Sequence, residues 1–368
     1  MRVLPAEALV HRDGGVVELS APGLGLDVLP EEVGELTSLR RIDLAWNHLT
    51  GLPGSIGGLS GLVTLNLDGN RLTALPTEIA RLGALRELHL DGNALDAFPR
   101  LVLNLSGLST LSFYGNRVAE LPADLDRLAN LRHLAAGGNA LTSVPDAVWR
   151  LTGLRSLNLA ENAITEIPEG LGRLRELRML DLGHNRLARI PEAIGDLVNL
   201  TDYLYLSDNG FTSVPSSLGR LRRLAYLNLT DNRLTGLPGS LGDLAGLVEL
   251  RLYNNRLTAL PESFGRLAAL RELHLRGNRL AGLPSALGGL RELRVLDLRD
   301  NVLTRLPDAV GGLTALTHLD LRNNRLRDLP EALAALPRLE KLDLRWNKLE
   351  GHPAVLDTLR ERGCAVLL

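Results

Sequence analysis

The chain has 368 residues, of which 90 are Leu, one is Cys and only 3% are aromatic, and its formal net charge is −2. This calls for an aliphatic core, and a charged fraction of 23% is too ordinary for wholesale disorder. The near-neutral balance excludes a general attraction to nucleic acid or anionic membrane, and a single Cys excludes an internal disulfide or a cysteine-rich zinc site.

In chain order, the opening MRVLPAEALVHRDGG lacks the apolar run of a signal peptide, and residues 1–15 are expected to cap the N-terminal end. The longest uncharged stretch, Leu101 to Asn116, carries Asn104, Ser106, Ser109 and Thr110, so it predicts no membrane span. The expected compartment is cytoplasmic. Only Lys341 and Lys348 are lysines among 41 basic residues, a bias that points to a G+C-rich, bacterial source.

From about residue 16 to 353 one unit repeats. Asn recurs at Asn47, Asn70, Asn93, Asn116, Asn139, Asn162, Asn185, Asn209, Asn232, Asn255, Asn278, Asn301, Asn324 and Asn347, every 23 residues except for one interval of 24. Fifteen of the 18 prolines stand six residues after this register, from Pro30 to Pro353. The unit reads L-x-x-L-x-L-x-x-N-x-L-x-x-L-P-x-x-I/L/V-G-x-L-x-x. A period of this length is the mark of a stacked-repeat architecture.

The pattern resembles the leucine-rich repeat family, and within it the cytoplasmic 23-residue class with an LPxxIGxL second half, which includes Ras-pathway scaffold proteins and many bacterial proteins. The resemblance implies an α/β solenoid, or horseshoe, with a concave parallel β-sheet and a convex side of short helical or 3₁₀ turns. It also implies a single domain over 1–368, with about fifteen repeats at 16–353 and a helix–strand cap at 354–368.

The residue pattern gives each element a physical reason. L-x-L alternation around each Asn predicts a short strand with leucines inward, and about fifteen stacked strands would run roughly 70 Å at ~4.8 Å each. The Asn amides are expected to satisfy turn backbone as a structural ladder. Pro is expected at the first position of the following turn, with acids such as Glu31, Glu169 and Glu262 favouring that N-terminus. The glycines four residues after Pro, such as Gly57, Gly195, Gly219 and Gly242, are expected to end the turn. At the far end, PAVLDTLRERG predicts a helix and CAVLL a last strand, with Cys364 a small apolar cap residue. The extra residue of the 24-residue interval falls in LTDYLYL, as either a tolerated bulge or a device that re-aims the Tyr-rich strand, the first being favoured.

Catalytic patterns are missing. There is no GxxxxGK[ST], HExxH, CxxC or nucleophile elbow. The expectation is a non-enzymatic chain with no catalytic residue, no cofactor and no metal site.

Functional variation concentrates at positions six, four, two and one before each Asn, which should face outward from the sheet. All five tyrosines fall there, Tyr114, Tyr203, Tyr205, Tyr226 and Tyr253, and so do Trp46 and Trp346. Clustered exposed aromatics are what interfaces enrich. Arg276, Arg299, Arg322 and Arg345 form a column two before Asn, and Asp297, Asp320 and Asp343 stand four before it. Each Arg can therefore meet an Asp on the same face. From Glu249 to Trp346 these columns hold six basic and six acidic residues, which argues for a self-neutralised ladder and against nucleic acid. His89, His133, His184, His274 and His318 are expected to be solvated.

The expected function is a scaffold that binds a protein partner on its concave face, with no nucleic acid, membrane or small-molecule substrate. Two alternatives follow from the resemblance: a regulatory subunit for a small GTPase or phosphatase, or a bacterial effector acting on host proteins. The phosphatase-docking sequence basic-Val-x-Phe of the Ras-pathway scaffolds is absent, since Arg2-Val3 and Arg117-Val118 lack the Phe.

Overall fold

The computed structural model describes residues 6–12 and 14–368. The chain divides into two compact units, Met1–Thr165 with Arg173–Leu177, and Glu166–Gly172 with Arg178–Leu368.

In the first unit, β1 (Leu9–Arg12) pairs antiparallel with β2 (Gly15–Ser20). This hairpin occupies the end where a cap was expected; residues 1–5 and 13 lie outside the described residues. The strands β3 (Arg41–Asp43), β4 (Thr64–Asn66), β5 (Glu87–His89), β6 (Thr110–Ser112), β7 (His133–Ala135) and β8 (Ser156–Asn158) then pair parallel in succession.

The second unit repeats the scheme with β9 (Met179–Asp181), β10 (Tyr203–Tyr205), β11 (Tyr226–Asn228), β12 (Glu249–Arg251) and β13 (Glu272–His274). It continues through β14 (Val295–Asp297), β15 (His318–Asp320), β16 (Lys341–Asp343) and β17 (Ala365–Leu367), again all parallel.

In each coil the inward leucines are sealed from water: Leu65 and Leu67, or Leu250 and Leu252, are 0% exposed. Each such side chain contributes about 1.5–3 kcal/mol of hydrophobic stabilisation. The strand ends where the residue before Asn turns left-handed. That holds at all fourteen such positions, with φ between 49° and 63° at nine non-glycine residues and between 59° and 70° at Gly69, Gly92, Gly115, Gly138 and Gly277. A left-handed non-glycine residue costs about 1–2 kcal/mol. The cost is tolerated because the next residue fixes the turn.

That residue is the ladder Asn. The Asn70 Oδ1 accepts from the Leu49 N–H at 3.0 Å, and its Nδ2 donates to the carbonyls of Leu44 and Leu67, each at 3.0 Å. The same three contacts recur at Asn255, with Leu234, Leu229 and Leu252. One amide thus satisfies backbone groups in its own coil and in the preceding one.

Three local expectations need correcting. Pro does not occupy the first helical position. Pro53, Pro191 and Pro238 have ψ near 150°, still extended, and the 3₁₀ turn starts at the next residue. The acids after Pro reach forward: Glu169 accepts from the Ala193 N–H at 2.8 Å and Glu262 from the Ala286 N–H at 2.8 Å, so they cap the next repeat's turn. The glycines four residues after Pro, such as Gly57, Gly195, Gly219 and Gly242, do not end turns by a left-handed φ. A Cβ on Gly219 would lie 2.2 Å from the Ser240 carbonyl oxygen, and one on Gly242 equally close to that of Ser263. Glycine is present because successive coils touch there.

The 24-residue interval leaves strand register intact, with Tyr203 opposite Met179 on one side and Tyr226 on the other. The extra residue is absorbed at Thr201–Asp202. There the Ala225 N–H bonds the Thr201 carbonyl, one residue earlier than the regular position used by Val248, which bonds Ala225. At the C-terminal end a helix α1 (Val355–Glu361) buries Val355, Leu356 and Leu359 before β17. Cys364 is buried, and that burial pushes its thiol pKa up.

Candidate functional site

In the second unit the outward positions of β10 to β13 form one connected surface. The rings of Tyr203 and Tyr205 meet edge-on with centroids 4.9 Å apart, and Tyr205 and Tyr226 are tilted at 5.0 Å. The Arg251 guanidinium lies 5.4 Å above the Tyr226 ring, a cation–π distance. Arg251 in turn bonds Glu249 at 2.5 Å. Parallel register builds this surface, because Tyr203, Tyr226, Glu249 and Glu272 are successive cross-strand partners. All four second-unit tyrosines are half-buried. Burial raises the phenol pKa of Tyr203, Tyr226 and Tyr253 above the usual value, so all three stay protonated donors at neutral pH.

Tyr253 closes the patch from two residues beyond the end of β12. Its hydroxyl lies 2.7 Å from His274 Nδ1, with ring centroids 5.2 Å apart. His274 was expected to be solvated; it is buried, at 8% exposure. Its Nε2 lies 3.1 Å from Glu272 and 3.8 Å from Glu249. Composition had shown these two carboxylates only as charges; their convergence with His274 comes from the 23-residue offset between strands. Of the other outward histidines, His133, His184 and His318 are exposed and His89 is half-buried.

The arginine column meets its aspartates. Arg299, Arg322 and Arg345 each lie 2.6 Å from the Asp two residues earlier, Asp297, Asp320 and Asp343. Arg299 also reaches Asp320, and Arg322 reaches Asp343, both at 3.4 Å. The Asp343 side chain is 0% exposed. Burial opposes its charge, but the bonds from Arg345 prevail and hold the carboxyl below its ordinary pKa. The hydrogen bond to Asp297 raises the pKa of Arg299 beyond its ordinary value. Arg276 differs: it bonds Asp300 at 3.0 Å, in the column next to Asn. Beside the ladder lies a hollow of about 340 Å³ lined by Tyr253, His274, Val295, His318 and Lys341 among others.

The remaining site residues stand elsewhere. Tyr114 belongs to the first unit, where its ring covers Gly137 and its N–H bonds Asp91 at 2.6 Å. Trp46 and Trp346 are not strand residues. They occupy left-handed turn positions at φ 58° and 63° and are 72% and 71% exposed. Trp46 lies over Gly69, and Arg345 sits 5.8 Å from the Trp346 ring. Among the described residues no helix is long and apolar enough to cross a membrane.

Comparisons with known proteins agree with this architecture. The family profile described as leucine-rich repeat region matches residues 26–139, and the leucine rich repeat profile matches 137–187, 152–211, 199–257, 222–280 and 291–349. A leucine-rich repeat protein from Leptospira interrogans is similar at 33% identity and TM-score 0.87, over 95% of this chain and 95% of that one. YopM from Yersinia enterocolitica is similar at 25% identity and TM-score 0.61, over 91% of this chain and 70% of that one. An internalin from Listeria monocytogenes shares the fold at 22% identity and TM-score 0.69, over 93% and 89%. No curated protein matched. With repeat matches from residue 26 to 280 and from 291 to 349, and a relative aligned along nearly its whole length, the chain belongs to the leucine-rich repeat family.

Proposed function

We propose that this protein is a non-enzymatic scaffold that binds a protein partner on the outer face of its sheet, centred on β10 to β12. The observation that carries the reading is the contact chain Tyr203–Tyr205–Tyr226–Arg251, an aromatic and guanidinium surface already packed into one arrangement. Tyr and Arg are the residues that dominate binding energy at interfaces. Side chains held this way lose little further entropy when a partner docks. The leucine-rich repeat fold supports protein binding in general.

The finer assignment rests on the sequence pattern. The LPxxIGxL half-repeats and the 3₁₀ turns that follow most of the register prolines support membership of the cytoplasmic 23-residue class, acting as one domain over 1–368. A cytoplasmic compartment agrees with the single, buried Cys364. Net charge and the paired Arg–Asp ladder favour a protein partner over nucleic acid, membrane or a small-molecule substrate. In this reading Tyr114, Trp46 and Trp346 serve as outlying contacts, while Arg276, Arg299, Arg322 and Arg345 form the rim.

The test is quantitative affinity capture from the native host, comparing the natural chain with Tyr205→Ala/Tyr226→Ala and with Arg322→Ala. A partner retained by the natural chain and by Arg322→Ala, and lost from the tyrosine variant, supports the reading. Equal recovery with all three places binding elsewhere.

A further inference from the structure

The side chains of Glu249, Glu272 and His274 converge, each offering a ligand atom within 4.8 Å of the others. We propose that they form a binding site for one divalent transition-metal ion of the zinc class. This goes beyond partner binding and does not depend on it, because the ion would bind the chain alone.

Four features point to a cation. First, Glu249 and Glu272 are direct cross-strand partners on β12 and β13, and like charges in that position repel. Arg251 is bonded to Glu249, and the partner recorded for Glu272 is the His274 ring. Two carboxylates and one guanidinium leave a net negative charge that a divalent ion would reverse. Second, the ligand spacing is already close to that of a bound ion. Ligand atoms about 2.0–2.1 Å from a tetrahedral zinc lie roughly 3.3 Å apart. The His274 Nε2 stands 3.1 Å from Glu272 and 3.8 Å from Glu249. Small rotations of two glutamate side chains would suffice.

Third, the imidazole is buried and oriented from behind. Its Nδ1 is held by the Tyr253 hydroxyl at 2.7 Å, the kind of outer contact that fixes the tautomer and direction of a metal-bound histidine. In the neutral Nε2–H tautomer, Tyr253 O–H donates to Nδ1 and Nε2–H donates to Glu272. With an ion at Nε2, the ring proton sits on Nδ1 and donates to the Tyr253 oxygen. The same pair of residues satisfies both states. Fourth, the donor set of one imidazole nitrogen and two carboxylate oxygens suits zinc-class ions, whereas calcium takes oxygen ligands alone. The Glu272 side chain is 43% exposed, so a fourth position faces solvent.

The experiment is isothermal titration of tag-free, chelator-treated full-length protein with zinc chloride, and with calcium chloride as the contrasting ion. We expect one zinc per chain. Affinity should fall at least tenfold in Glu272→Gln and be lost in His274→Ala, while Tyr253→Phe weakens binding by about 10- to 100-fold as an outer-contact loss. Glu272→Gln preserves shape, so it carries the test should His274→Ala not fold. Absence of saturable zinc binding, or one zinc bound equally well by Glu272→Gln and His274→Ala, would overturn the site.

Discussion

The rings of Tyr205 and Tyr226 lie 5.0 Å apart although they belong to different repeats, and the Arg251 guanidinium covers the second of them. They therefore act as a pair. Each truncation to Ala is expected to weaken partner binding by about 2 kcal/mol or more, the scale of an aromatic hot spot. Because they touch, the double variant should lose less than the sum of the singles. Folding stability should fall as well, by about 0.5–1.5 kcal/mol for the lost ring contact. Titration calorimetry of binding beside urea denaturation separates the two effects.

The Asn ladder predicts a larger folding cost. Asn255→Ala removes the acceptor for the Leu234 N–H and the donor to the Leu229 carbonyl, both in the preceding coil. Each buried group left unpaired costs about 1–3 kcal/mol. The urea midpoint should shift accordingly, and an unchanged midpoint would show that water replaces the amide.

Two glycines offer opposite outcomes for the same substitution. Gly219→Ala drives a Cβ to 2.2 Å from the Ser240 carbonyl oxygen, whereas a Cβ on Gly282 meets nothing within 4 Å. Overpacking of the first kind costs about 1–3 kcal/mol. Gly282→Ala should be neutral or stabilise by up to about 1 kcal/mol, through the unfolded chain. Thermal melts of the two variants, run side by side, give the comparison.

Asp343 sets an acid limit. Its carboxyl is held below its ordinary pKa of 3.8, burial opposing the bonds from Arg345 that lower it. A depressed carboxylate contributes stability that is complete above the unfolded pKa and is lost as pH falls through the lower folded value. Unfolding free energy measured against pH should therefore drop below about pH 4, and Asp343→Asn should flatten that drop. At neutral pH, Asp343→Asn should also destabilise the fold, since Arg322 and Arg345 lose a partner, but both guanidiniums keep contact with water that screens the loss.

Much of this was legible because the repeat turns one coil into fifteen copies. The strand at each Asn, the Pro-led turn, the inward leucines and the Arg–Asp pairing two residues apart all follow from periodicity, and the structure shows each. Features that depend on contact between coils were not legible. Gly219 looks like a helix-ending glycine until the Ser240 carbonyl is placed beside it. His274 shares its column with half-buried His89 and differs only because Tyr253, 21 residues earlier, packs against it. The left-handed turn was hidden for another reason. Ten of its fourteen positions hold Gly, Asp or Asn, the types that tolerate positive φ, but Trp46, Glu161, His184 and Trp346 adopt it too, so residue type is only a partial mark and the Asn that follows supplies the constraint.

The Asn amides also give the stack a direction. From Asn70 to Asn162, and from Asn209 to Asn347, the Oδ1 acceptor and the long-range Nδ2 contact both serve residues 21 to 27 positions earlier in the chain. The side-chain amide of such an Asn leaving the ribosome thus finds these partners already made, whereas strand N–H groups such as that of Leu67, which bonds the His89 carbonyl, wait for the next coil. Shortening the protein from its C-terminal end would leave these contacts of every remaining ladder Asn intact, while removing coils from the other end would strand the first amide behind the cut. The two ends of the array are therefore not equivalent as sites for adding or deleting repeats.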